Sequence, residues 1–272
     1  MASFFRDWRR RRILEKYPLS DALWEQGLEL VPALDDLSDV ELEKLRDLVT
    51  VFLHEKVFES ARGFEIDDRV RIVIACLCCL VILELDLDAY VGLKSIIVYP
   101  GQFKTRHEHV DEHGIAHIDE GTQSGESAPE DGIALSWADV VESVQDPYDG
   151  YNVVIHECAH KLDMLGSGDA DGAPPLHAGM DQAKWKSVFS RAFEHFCWEI
   201  EHGGDTQLDE YGAESPSEFF AVMTEAFFEC PDILCDEYPE VYDQLQALYR
   251  QDTIARMPPP EHEASGRPED LN

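Results

Sequence analysis

The apolar positions of this chain recur mostly at helical spacing. Ser20 can cap a run from Asp21 to Leu28, and Ser38 a longer one in which Leu42, Leu45, Val49, Phe52 and Leu53 share a face. Phe64 to Asp67 breaks that period. Arg69 to Leu85 is so densely apolar that it predicts a helix buried on most of its faces. Two short runs differ: Ser95 to Tyr99, stopped by Pro100-Gly101, and Gly132 to Trp137 both predict strands. Helices resume at Val153, behind Asn152 as a cap and with Gly166 as a stop. Ala183 to Glu201 places Trp185, Val188, Phe189, Phe193 and Phe196 on one face, and Pro216 to Cys230 and Glu240 to Ala255 follow. No internal repeat appears. The fold expected is α+β: mainly helical, with a small sheet.

The ends and one internal stretch lack such periods. Residues 1–19 are expected to be a flexible N-terminal arm, 20–255 a single domain and 256–272 a disordered tail. Residues 104–131 are polar and rich in Gly, Glu and His. They include His107, His109, His113 and His117, but Gly114 follows the first His of that H-x-x-x-H, so a solvated loop is expected.

Charge narrows the partners. With 56 acidic against 22 basic residues the net charge is −34, which repels nucleic acid and anionic membranes. The apolar run Ile72 to Leu83 falls short of the ~20 residues that span a bilayer, and no secretory signal follows Met1. Seven cysteines, with Cys76, Cys78 and Cys79 in an apolar run, read as buried free thiols. A cytoplasmic protein is expected.

The chemistry sits in Val153 to Asp163, which contains H-E-x-x-H as His156-Glu157-x-x-His160. At roughly 100° per residue the two imidazoles lie one above the other and can share a metal ion. Glu157 sits one step round, offset from the ion but able to reach a water bound to it, which is the arrangement of a zinc hydrolase. A core helix with two incidental histidines is the competing reading. The loop Ser167 to Pro175 matches a calcium loop only in part, with Ser167 and Ala178 at positions that need Asp and Glu.

Two histidines need a third protein ligand to leave one position open. The metzincin pattern is excluded, because positions 163 and 166 are Asp163 and Gly166. A carboxylate on a second helix fits instead, and Glu218 and Glu225, seven residues apart among Phe219, Phe220, Val222, Met223 and Phe227, both qualify. Glu218 also completes Ser215-Pro216-Ser217-Glu218, a capping box with proline at its favoured position. Sequence physics leaves both roles open.

Five segments carry a resemblance: Gly63 to Asp67; Val98-Tyr99-Pro100; Gly132 to Trp137 with Asp139-Val140; His156 to Asp163; and Tyr211 through Phe228. In these, spread from about residue 20 to 255, the chain resembles the Mlc titration factor A family of zinc metallopeptidases. That family is gluzincin-like and related in its catalytic core to the anthrax lethal factor protease. The resemblance implies a helical N-terminal part packed on a gluzincin-like core. It implies one Zn2+ per chain, with His156, His160 and Glu218 as metal ligands, Glu157 as catalytic base and Tyr211 as the catalytic tyrosine. Asp163 and Glu225 are then candidates to orient the ligand histidines. The activity implied is peptide hydrolysis, aminopeptidase-like activity included, on a peptide or protein substrate. The family's name adds a competing role, sequestering a transcriptional repressor by protein–protein contact. The sheet edge beside the H-E-x-x-H helix is expected to hold an extended substrate by strand addition.

Overall fold

The computed structural model describes residues 2–101, 108–110, 116–118, 131–204 and 206–257. Helices α1 (Ala2–Lys16), α2 (Asp21–Leu30) and α3 (Asp39–Glu55) lead into a four-residue strand, β1 (Val57–Ser60), and then α4 (Asp68–Val81). Next come β2 (Ser95–Tyr99), the short pair β3 (Glu108–Val110) and β4 (Ala116–Ile118), and β5 (Gly132–Ser136). Helices then follow: α5 (Trp137–Gln145), α6 (Val153–Ser167), α7 (Gln182–Glu201), α8 (Pro216–Glu229), α9 (Pro231–Glu237) and α10 (Pro239–Tyr249). The fold is mainly helical α+β, as the periodicity predicts.

Side-chain caps explain many of the boundaries. Ser20 accepts the Leu23 N–H, and Ser38 with Glu41 forms a reciprocal capping box. Asp67, Ser136, Asn152, Asp181 and Ser215 cap α4 to α8 in turn. Two sequence expectations move here. Trp137 does not end a strand, because Ser136 caps a helix that begins at Trp137. Helix α6 runs through Gly166 and ends at Gly168, whose φ of +88° is the left-handed geometry glycine adopts without steric cost.

The sheet orders β1-β2-β5 and is parallel throughout, with Phe58 opposite Ile96 and Ile96 opposite Ile133. Strands β2 and β5 read as continuous apolar runs because a parallel sheet is covered on its faces. Among the described residues β5 is one of the two sheet edges, and it packs against α6. One hydrophobic core extends from Ile13 to Tyr249. At its centre α6 and α8 pack together, α4 is buried behind α6, and α7 stacks Trp185 on Phe189 at 4.1 Å, against Phe219 and Phe220 of α8.

Where a flexible arm is expected, Ala2–Lys16 forms helix α1. Helix α1 buries Ile13 and is held by Arg6 and Arg10 to Asp86 and Asp88, and by Arg9 to Glu55. Partners nearly eighty residues away decide this, and no local pattern encodes them. His109 is paired with His117 in the β3–β4 backbone register. His107 and His113, and most of the tail (258–272), lie outside the described residues. Among the described residues no helix is long and apolar enough to cross a membrane, and the seven cysteines are free thiols.

Candidate metal centre

Helix α6 presents His156 and His160 on one face, one turn apart, with ring centroids 4.7 Å apart. The N-terminal turn of α8 meets that face. Ser215 caps α8 through the Glu218 N–H, but the Glu218 side chain turns away from the cap toward α6. Its Oε2 lies 3.0 Å from His156 Nε2 and 3.3 Å from His160 Nε2, and the two Nε2 atoms are 3.1 Å apart. Among the described residues these three form the one His/Cys/Asp/Glu group with metal-ligand spacing. An ion with tetrahedral bonds of about 2.0–2.1 Å holds its ligand atoms about 3.3 Å apart, so the triangle fits one. Two imidazoles and a carboxylate also suit zinc by donor type.

Each histidine is fixed from behind. His156 Nδ1 lies 2.7 Å from Glu225 Oε1, so a proton there is donated to the carboxylate and Nε2 is turned toward the triangle, where a bound metal ion would take the place of its proton. His160 Nδ1 meets the Ser217 hydroxyl at 3.1 Å. Glu225 is 2 % exposed, and its second oxygen accepts the Asn152 N–H at 2.6 Å. Asn152 in turn donates its side-chain amide to Glu229 Oε1 at 2.7 Å, and Glu229 accepts the Tyr148 N–H at 3.0 Å. Carboxylates at 218, 225 and 229 thus lie on one side of α8, the first toward the ligand triangle and the others supporting it.

Asp163 does not orient a ligand histidine. It is fully buried, and its Oδ2 accepts the Gly172 N–H at 2.7 Å, which folds the loop after α6 back onto that helix. In the sequence Ser217 and Asn152 are recognisable only as parts of caps, and no motif singles out Glu229. Their further contacts depend on how α8 approaches α6. Glu229 did carry a signal, a carboxylate one turn beyond Glu225 on an apolar helix.

The electrostatics favour a positive charge at the triangle. Burial opposes a charged His156, yet Glu225 and Glu218 outweigh it and hold that imidazole well above its ordinary pKa. Burial likewise opposes a charged Glu218, and the two histidines overcome it, keeping the carboxyl far below its usual range.

Glu157 is half-buried on α6, one position round from His156. Tyr211 lies in a 3₁₀ turn, Glu210–Ala213, 39 % exposed, with its ring 6.0 Å from that of His156. Burial, then the nearby Glu218, Glu214 and Glu157 carboxylates, raise its pKa, so the phenol keeps its proton at neutral pH.

This is the architecture of an H-E-x-x-H metal protein with a distal glutamate on a second helix. The sequence profile of the glucose-regulated metallo-peptidase M90 family matches residues 5–250, and the chain belongs to that family. It is 34% identical over 260 residues to Mlc titration factor A of Yersinia pestis (strain Pestoides F), covering 90% of this chain and 94% of that protein. The same figures hold for Mlc titration factor A of Yersinia pseudotuberculosis serotype O:1b (strain IP 31758). A metallopeptidase family implies a bound metal ion.

Proposed function

We propose that this protein is a cytoplasmic zinc-dependent peptidase, binding one Zn2+ per chain through His156, His160 and Glu218. The observation that carries the proposal is the 3.0–3.3 Å triangle of ligand atoms backed by Glu225 and Ser217. Zinc bound there supplies a Lewis acid that polarises the peptide carbonyl and acidifies a water. Glu157 takes the proton from the attacking water and returns it to the leaving amine. The protonated phenol of Tyr211 donates to the oxyanion as the carbonyl carbon becomes tetrahedral. Glu225 and Ser217 hold the two imidazoles in the orientation and tautomer that keep Nε2 facing the ligand triangle. Aminopeptidase-like cleavage of short peptides belongs to this reading.

A second reading rests on the relatives' name, Mlc titration factor A: binding of a transcriptional repressor by protein–protein contact. The net charge of −34 is unsuited to direct nucleic-acid binding, so such a partner is met as a protein. Glu157 separates the two readings, since a pure binder has no use for a base beside the ligand triangle. Glu157→Gln is expected to keep its metal and fold and to lose nearly all hydrolysis of peptide or aminoacyl reporters. Wild-type turnover in that variant would remove Glu157 from the mechanism, and repressor capture with no turnover in the wild type would favour the second reading.

A further inference from the structure

Helix α6 has a second stripe. Glu157, Lys161, Met164, Leu165 and Gly168 follow one another at helical spacing, beside the stripe that carries His156 and His160. From Lys161 onward this stripe walls a cavity of about 540 Å³, closed on the other side by Ala89 and Leu93 near the start of β2. That volume falls within the roughly 300–1,000 Å³ of small-ligand sites. Leu93, Met164 and Leu165 give it apolar walls, and Asp169, just past the left-handed Gly168 that ends α6, also lines it.

Lys161 is the one cation among the described lining residues, and it is half-buried in a chain whose acidic groups outnumber its basic ones. Its Nζ lies 3.9 Å from Met164 Sδ, so the ammonium is drawn along the apolar wall. One helical turn separates Lys161 from Glu157, roughly 5–6 Å between Cβ atoms. A peptide whose scissile carbonyl lies beside Glu157 therefore brings a neighbouring residue, or its own chain end, within reach of Lys161. Lys161 lies in the field of Glu157 first and of Asp131 after it.

We propose that this cavity is a substrate subsite for a carboxylate, with Lys161 as the cation that selects it. This rests on the peptidase reading for its catalytic meaning, but the binding it claims can be measured without turnover. The carboxylate is either an acidic side chain close to the scissile bond or the free C-terminus of a short peptide.

The test uses alanine-based tetrapeptides in matched sets. One set has blocked termini and carries Glu or Gln at a single scanned position; the other is neutral throughout, with a free or an amidated C-terminus. Equilibrium binding is measured on metal-loaded Glu157→Gln, and kcat/KM on the metal-loaded wild type, each with and without Lys161→Met and Lys161→Arg. At one position Glu is expected to exceed Gln by about tenfold or more, as for a charge-assisted hydrogen bond. Lys161→Met should bring that ratio close to one, and Lys161→Arg should restore it. A free C-terminus preferred over its amide, with no side-chain preference, would assign the carboxylate to the chain end. No preference in either set, or a preference that survives Lys161→Met, overturns the inference. Turnover without any carboxylate preference sinks the inference alone, whereas Lys161-dependent binding without turnover sinks the peptidase reading alone.

Discussion

Tyr211 shows how much one hydroxyl can report. Its ring lies 6.0 Å from that of His156, and burial with the surrounding carboxylates keeps the phenol protonated. If that proton serves the oxyanion, Tyr211→Phe removes a hydrogen bond made mainly in the transition state. The expected loss is on the order of 10²-fold or more in kcat with little change in KM, and metal content stays that of the wild type. A kcat equal to the wild type would make Tyr211 a packing residue. Glu218 is the other residue on which the account turns, and local sequence could not resolve it. Ser215 and Glu218 spell a capping box, and the backbone half of that box does form. The carboxylate has a stronger alternative in two imidazoles of another helix, a fact of tertiary approach. The family resemblance, not periodicity, separated Glu218 from Glu225. Ser217 and Asn152 were legible only as cap positions for the same reason.

At the scale of elements, the site depends on how closely α8 is held to α6. The loop after α6 does part of this work. Gly172 donates its N–H to Asp163 of α6, and its carbonyl accepts the Trp185 indole N–H of α7. Its φ is +78°, and a Cβ there would lie 2.5 Å from the Pro216 carbonyl oxygen at the start of α8. Gly172→Ala therefore adds backbone strain and a clash that pushes α8 from α6. A stability loss of about 2–4 kcal/mol is expected, together with weaker metal binding, because Ser217 and Glu218 follow directly on Pro216. Chemical denaturation and a metal titration on the same sample check this; unchanged values for both would show that the loop does not set the spacing. Long periodic elements such as α3, α4, α7 and α8 were legible because their apolar stripes and caps agree. β1 was not: Val57-Phe58-Glu59-Ser60 follows straight on from the α3 period, and only Phe58 is half-buried. Its strand state comes from pairing with β2, thirty-eight residues on. Residues 1–19 read as a flexible arm because Asp86 and Asp88, which hold Arg6 and Arg10 of α1, are remote in sequence.

For the whole molecule, a net charge of −34 and buried carboxyls both tie stability to pH. Burial raises the Asp163 pKa to about 6, with the Gly172 N–H working against it and Asp171 adding to it. A carboxyl whose folded pKa exceeds its unfolded value of about 3.9 binds its proton more tightly in the native state. Its contribution to stability is thus complete below about pH 4, declines as pH rises toward 6, and is level above that. Asp163→Asn keeps an acceptor for Gly172 and cannot ionise, so its unfolding free energy should fall less steeply from about pH 4 to 6. Equal slopes for variant and wild type would mean that Asp163 titrates normally. The comparison with wild type cancels the general charge repulsion, which acts in the same direction. Above all, two helices bring His156, His160 and Glu218 together, on the proposal that they bind a catalytic zinc ion. The direct test is zinc content per chain in purified protein after zinc supplementation and dialysis: about one is predicted, and none would contradict the account.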